Sequence, residues 1–282
     1  MGVKRLLCSF SPARSERSLI CTYHSVGPAC RDSVSPALFR AQMKELRRRF
    51  EPVSIAELIC RTSEGASGLC AVTFDDGYRD CYEYAFPILR DMGVPFTLFV
   101  TTGFIQDGTW TFSRRFAGLP ALSWQQIEAM LAGGAEVGCH SHQHRRFSTL
   151  SAGGLRCDLE RSKAMLEDRT GRPVRILAYP YGQPGDYDDR SIHLVKELGF
   201  QMAFTTLHTT FRSWPDLLQL PRISINGEDD MADFRQQLDG KRDILASVQT
   251  LRSKTGWIAC RLSRRVGSHR LNSEAGERMT HE

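Results

Sequence analysis

A parallel α/β fold, closed into a barrel, is what the sequence predicts, and three observations predict it. Strand-like and helix-like segments alternate from residue 19 to 240 with no internal repeat and no break in composition, the pattern of a parallel sheet joined by helical crossovers. The strand-like segments include continuous apolar runs such as Leu69-Cys70-Ala71-Val72-Thr73-Phe74, which suit strands covered on both faces. Polar residue types able to do chemistry stand at the ends of several runs, and a barrel gathers the carboxyl ends of its strands on one face. At 282 residues, 41% hydrophobic and 24% charged, the chain can bury one full core.

The elements follow in order. Leu19 to His24 reads as a short strand ending at a histidine. Ser35-Pro36 opens a helix, a cap followed by proline at the first helical position, and Leu38, Phe39, Met43, Leu46 and Phe50 recur on one face. A short helix follows Ser54, and a polar loop over 61–68 leads into the strand that ends at Asp75-Asp76-Gly77. A helix covers 79–92, with Pro87 marking a kink or the start of its second half and Gly93 as its C-terminal cap. The strand 95–101 is followed by a loop over 103–122. Ser123 caps a helix to Leu131, and Glu136 to His140 is a strand ending at a second histidine. A helix over 151–169 stops at Gly171, and a strand over 174–179 runs into the turn Pro180-Tyr181-Gly182. A helix over 188–198, strands over 200–205 and 220–225, and a helical region over 230–263 complete the chain.

Four regions are expected: an N-terminal extension (1–18), the barrel (19–240), a basic helical segment (241–265) and a polar, aperiodic, disordered tail (266–282). The net charge is +5, and nine Lys/Arg against four Asp/Glu from residue 241 onward account for the excess. The neutral body argues against a nucleic-acid binder. Ile244, Val248, Leu251, Ile258 and Leu262 lie near helical spacing among basic residues. Two readings stay open there: contact with an anionic membrane surface, or a helix packed on the barrel with a basic outer face. The nine cysteines form no Cys-x-x-Cys pair, which suggests free thiols, and Cys139 should point away from its neighbour His140. No apolar run reaches membrane-spanning length, and Met1–Phe10 is too short for a signal-peptide core. The expected location is cytoplasmic.

Two adjacent carboxylates at a strand end repel each other unless a cation or a shared proton relieves them. Asp75-Asp76-Gly77 is therefore either a common turn or part of a metal site. His140-Ser141-His142-Gln143-His144 favours the metal. On a helical turn, residues four apart share a face, so His140 and His144 could grip one ion with Asp76, leaving positions open for water. Such an ion lowers the pKa of bound water, Asp75 would take its proton, and His142 would face elsewhere.

Thr73-Phe74-Asp75-Asp76-Gly77, Gly138 through His144, and Ala178-Tyr179-Pro180-Tyr181-Gly182 together resemble the polysaccharide deacetylase family, carbohydrate esterase family four. The resemblance extends through Leu98-Phe99-Val100, Trp124 and Leu220-Pro221-Arg222-Ile223, covering roughly 19 to 225. It implies a distorted (β/α) barrel of about seven parallel strands in a single domain. It also implies hydrolytic, metal-dependent removal of N- or O-acetyl groups from sugars; the leading reading is N-deacetylation of an amino-sugar saccharide, or of a lipid- or nucleotide-linked precursor if the location is cytoplasmic. By resemblance Asp75 is the general base, Asp76, His140 and His144 bind zinc or another divalent transition metal, and the Tyr181 backbone N–H stabilises the oxyanion. Two departures stand out. Many members carry arginine where Ala178 stands, and Arg222 is the candidate replacement. The usual late Leu-x-His motif is missing, while Tyr23-His24 resembles the early motif of exopolysaccharide-associated members and implies His24 as general acid, with His208 second. The alternatives are an amidohydrolase of the same fold acting on a small non-sugar amide, or a non-catalytic carbohydrate-binding barrel; the paired Asp75 and Asp76 argue against the latter.

Overall fold

Side-chain alternation along the strands builds a curled parallel sheet with two apolar faces. The structure, a computed structural model, describes residues 16–28, 32–108, 116, 118–210, 216–241 and 243. Its strands are β1 (Leu19–Tyr23), β2 (Glu51–Pro52), β3 (Leu69–Phe74), β4 (Phe96–Val100), β5 (Glu136–Cys139), β6 (Ile176–Ala178), β7 (Met202–Phe204) and β8 (Ile223–Ser224). Seven follow the order β7-β6-β5-β4-β3-β1-β8, all pairings parallel, while β2 pairs with the first residues of β3. The chain before β8 closes the curl. Leu220 exchanges backbone hydrogen bonds with Ala203 and Thr205 beside β7, and Ile223 then pairs with Cys21 of β1. This is the distorted barrel expected.

Successive residues of a strand face opposite ways. Ile20, Ala71, Phe99, Ile176, Ala178, Phe204 and Leu220 form the inner cluster. Their neighbours Leu19, Cys21, Cys70, Val72, Leu98, Val100 and Leu177 belong to the layer between sheet and helices. Val53, Ile55 and Leu58 join the inner cluster, so the segment after β2 plugs the barrel at the amino ends of its strands.

The helices are α1 (Pro36–Arg49), α2 (Ile55–Ser63), α3 (Phe86–Met92), α4 (Thr102–Asp107), α5 (Trp124–Ala132), α6 (Ala152–Thr170), α7 (Asp189–Glu197) and α8 (Met231–Leu238). Ser35, Ser54, Ser123, Ser151 and Asp188 each accept a hydrogen bond from a first-turn amide, satisfying donors that have no helical partner. The segment expected as one helix over 79–92 divides. A π-helical turn, Cys81–Ala85, precedes α3, which has Pro87 in its first turn, where the missing N–H does no harm. Two short elements were not expected: β2, two residues long and without any alternation to read, and α4, inside the stretch 103–122 read as loop. Of the helical region over 230–263, α8 is described; the basic amphipathic stretch, the tail over 266–282 and residues 1–15 of the extension lie outside the described residues. Cys21, Cys70, Cys81 and Cys139 are buried free thiols, while Cys60 and Cys157 are exposed. No helix among the described residues is long and apolar enough to cross a membrane.

Candidate active site

The carboxyl ends of β1, β3 and β5 lead directly into His24, Asp75-Asp76 and His140. Asp75 N donates to Tyr23 O at 2.9 Å and His140 N to Val100 O at 3.0 Å, so both residues still take part in sheet bonding. Asp76, Ser141, His144 and Tyr181 all have positive φ (73°, 66°, 51° and 63°). Left-handed backbone at non-glycine residues is sparsely populated and clusters at functional sites.

Asp76, His140 and His144 are all buried, and one ligand atom from each lies within 4.8 Å of the others. Asp76 Oδ1 is 3.4 Å from His140 Nε2 and 3.3 Å from His144 Nε2, and it is buried with no hydrogen bond satisfying it. His140 Nδ1 is 2.8 Å from the Ala178 carbonyl. A carbonyl only accepts, so Nδ1 carries the proton and Nε2 presents its lone pair to the cluster. Burial lowers the His144 pKa to about 4, helped by the charge of His140, which leaves a neutral imidazole at physiological pH. Burial also disfavours charge on His140, but Asp75 and Asp76 outweigh it and its pKa rises. Two imidazoles and a carboxylate around an unsatisfied buried oxygen are a donor set suited to a divalent transition ion.

The histidine spacing works by a different geometry from the helical turn expected. Residues 140–146 are irregular, because Ser141 and His144 are left-handed, and the loop is held from outside. Asp158 on α6 accepts from His142 N at 3.1 Å and Gln143 N at 2.9 Å, and Ser141 Oγ accepts from His144 N at 2.8 Å. His142 turns away, its Nδ1 2.9 Å from Thr102 Oγ1, as expected. Gly103 N donates to His142 O at 2.9 Å, and a Cβ on Gly103 would stand 2.3 Å from that oxygen. Cys139 Sγ bonds Ser162 on α6, outside the cluster. Asp158, Thr102 and Gly103 carry no sequence signal that marks them as loop anchors.

Asp75, 2% exposed, makes a bidentate pair with Arg222: Nη1 to Oδ1 and Nη2 to Oδ2, both 2.7 Å. Arg222 is fully buried, donates also to Thr205 O at 3.0 Å and Thr73 Oγ1 at 3.2 Å, and lies over the Phe99 ring at 5.3 Å. It occupies the barrel interior and supplies the charge absent at Ala178. Burial alone would raise the Asp75 pKa, but Arg222 and then His140 reverse this and hold it below the usual carboxylate value. Asp76 is likewise lowered against burial, by His144 and His140.

His24 is half-buried, stacks on Phe116 with centroids 5.8 Å apart, and is close enough for its charge to bear on Asp75, Asp76 and His144. His208 is buried in the stretch after β7. Tyr181 follows β6 in a turn secured by Thr206 Oγ1, which donates to Tyr181 O at 2.6 Å. Gly182 (φ 67°) is required there, since a Cβ would meet Thr206 N at 2.8 Å. The Tyr181 ring is 39% exposed and lies 4.8 Å from that of His144.

Comparison with known proteins identifies the family. A profile described as polysaccharide deacetylase matches residues 63–203, half of the chain; His24 and Arg222 lie outside that span. A poly-beta-1,6-N-acetyl-D-glucosamine N-deacetylase of Staphylococcus epidermidis is 28% identical over 166 residues, 56% of this chain and 54% of that one. One of Staphylococcus aureus is 24% identical over 208 residues, 70% and 69%. The chain thus spans between about half and two thirds of the curated relatives it matches. Among solved structures, IcaB from Ammonifex degensii superposes with a TM-score of 0.67 at 26% identity, covering 84% of this chain and 99% of that one. The deacetylase PplD of Streptococcus pyogenes shares the fold, with a TM-score of 0.68 at 23% identity over 78% and 97%. On the strength of the profile match, the chain belongs to the polysaccharide deacetylase family.

Proposed function

We propose that the protein is a metal-dependent N-deacetylase of an amino-sugar polymer of the poly-β-1,6-N-acetylglucosamine type, the polymer named for its staphylococcal relatives. One observation carries the reading: a buried Asp76–His140–His144 cluster lies beside a second carboxylate, Asp75, that takes no part in it and is tuned by Arg222.

Asp76, His140 and His144 would hold zinc or another divalent transition ion. When bound, such an ion polarises the acetyl carbonyl and lowers the pKa of water beside it. The chain's own residues do the rest. Asp75 stays ionised because Arg222 faces it, and the arginine engages one lone pair on each oxygen, leaving another on each for a proton. It accepts the proton of the attacking water as the tetrahedral carbon forms. The Tyr181 backbone N–H, in a turn fixed by Thr206 and Gly182, donates to the oxygen that gains charge. His24, reached from a different strand end, gives a proton to the departing amine as the C–N bond breaks. Acetate and a free amino sugar result.

The test is acetate release from β-1,6-linked N-acetylglucosamine oligomers by chelated and zinc-reloaded enzyme. Release that requires the metal supports the reading. Release unaffected by exhaustive chelation, or none from any acetylated sugar after reloading, overturns it.

A further inference from the structure

Beside the metal cluster stands a charged group with no part in the chemistry above. The Arg146 guanidinium lies over the Tyr181 ring, 4.3 Å from its centroid, one ring away from His144. Its side chain is 52% exposed. Arg146 Nε donates to Asp186 Oδ1 at 2.6 Å, and Asp186, 8% exposed, is itself fixed by Gln183 N at 2.9 Å. Its backbone carbonyl accepts from Ser148 N at 3.0 Å. The guanidinium is therefore held flat by one hydrogen bond and one aromatic face, with its two Nη groups left for a ligand. A group pre-ordered in this way at a site mouth loses little freedom on binding.

The reaction changes the one property that such a group reads. An acetamido sugar is neutral and offers a carbonyl acceptor. Its deacetylated product carries an ammonium, which is cationic and only donates. Arginine has donors and no acceptor, so it can bond the first and cannot bond the second, and like charge opposes the second as well. Both effects act in one direction.

We propose that Arg146, seated on Tyr181 and tied to Asp186, makes the enzyme select an acetylated rather than a deacetylated sugar beside the unit being processed, so that free amines are spaced along the polymer. The proposal rests on the N-deacetylase reading. A lost hydrogen bond and a half-exposed like-charge contact together correspond to a discrimination of about tenfold.

The experiment compares kcat/KM for acetate release from three β-1,6-linked N-acetylglucosamine trimers: fully acetylated, and with a free amine at either end. Wild type should favour the fully acetylated trimer over one of the amine trimers by about tenfold, through KM. Arg146→Gln should bring that ratio close to one, chiefly by raising KM on the fully acetylated trimer, and Arg146→Glu should invert it. A structural role for Arg146 would lower all three activities together and leave the ratio intact. Acetate release with a ratio that Arg146→Gln does not move overturns this proposal and leaves the N-deacetylase reading standing. Absence of release from every trimer overturns that reading first, and the proposal with it.

Discussion

Arg222→Met removes the cation from the barrel interior and leaves Asp75 buried. Both residues are almost wholly shielded from water, at 0% and 2% exposure, and their two hydrogen bonds are short and parallel. A charge pair at ~4 Å with an effective dielectric of ~20 interacts by about 4 kcal/mol. Breaking a buried pair by removing one partner costs about 3–5 kcal/mol, because the remaining charge is unpaired. Arg222 also satisfies the Thr205 carbonyl, and methionine does not. The single variant should therefore lose about 3–5 kcal/mol in urea denaturation at pH 7.5. Asp75→Asn combined with Arg222→Met should lose less than Arg222→Met alone, since no charge is then stranded. In any Arg222→Met that folds, the acid limb of the pH–rate profile should move up, because the cation that holds the Asp75 pKa down is gone. A loss below about 1 kcal/mol, or a double variant no more stable than the single, would refute the reasoning.

Gly103→Ala should push the His142 carbonyl away and loosen the 140–144 loop; metal affinity should fall well beyond the modest loss of stability, as isothermal titration can show. Asp80 is buried against Ser25 and burial raises its pKa to about 6. A carboxyl whose folded pKa lies above its unfolded value costs stability once pH exceeds the folded pKa, and the cost vanishes below the unfolded one. Asp80→Asn should then stabilise by about 2–3 kcal/mol at pH 7.5 and by little at pH 4, read from denaturant midpoints. His24→Ala should keep fold and metal yet lose about 10²–10⁴-fold in turnover, with much of that recovered on a substrate whose leaving group needs no proton. If His208→Ala behaves so and His24→Ala does not, the general acid is His208.

The features legible in the sequence were those written in consecutive residues. Apolar runs ending in Asp75-Asp76 and His140 placed the strands, and Ser35, Ser54 and Ser123 before apolar segments placed three helix starts. The failures are local geometry and distant contact. His140 and His144 converge through two left-handed residues, Ser141 and His144, which no spacing rule separates from a helical turn. Thr102-Gly103 resembles loop chemistry, yet α4 begins there, and Gly103 N reaches across to the His142 carbonyl, a contact between residues 39 apart. Arg222 was a candidate without a demonstrated partner, since its bond to Asp75 spans 147 residues and exists because the sheet closes on itself. Arg146 and Asp186, 40 residues apart, carry no motif at all.

The central claim is a division of labour between two adjacent carboxylates, Asp76 for the metal and Asp75 for the proton. The most direct measurement is metal content and turnover, taken together, on purified Asp75→Asn and Asp76→Asn. The account predicts that Asp75→Asn retains wild-type zinc stoichiometry while turnover falls by about 10²–10⁴-fold, and that Asp76→Asn loses the metal. Loss of zinc from Asp75→Asn, or near wild-type turnover in it, would contradict that division.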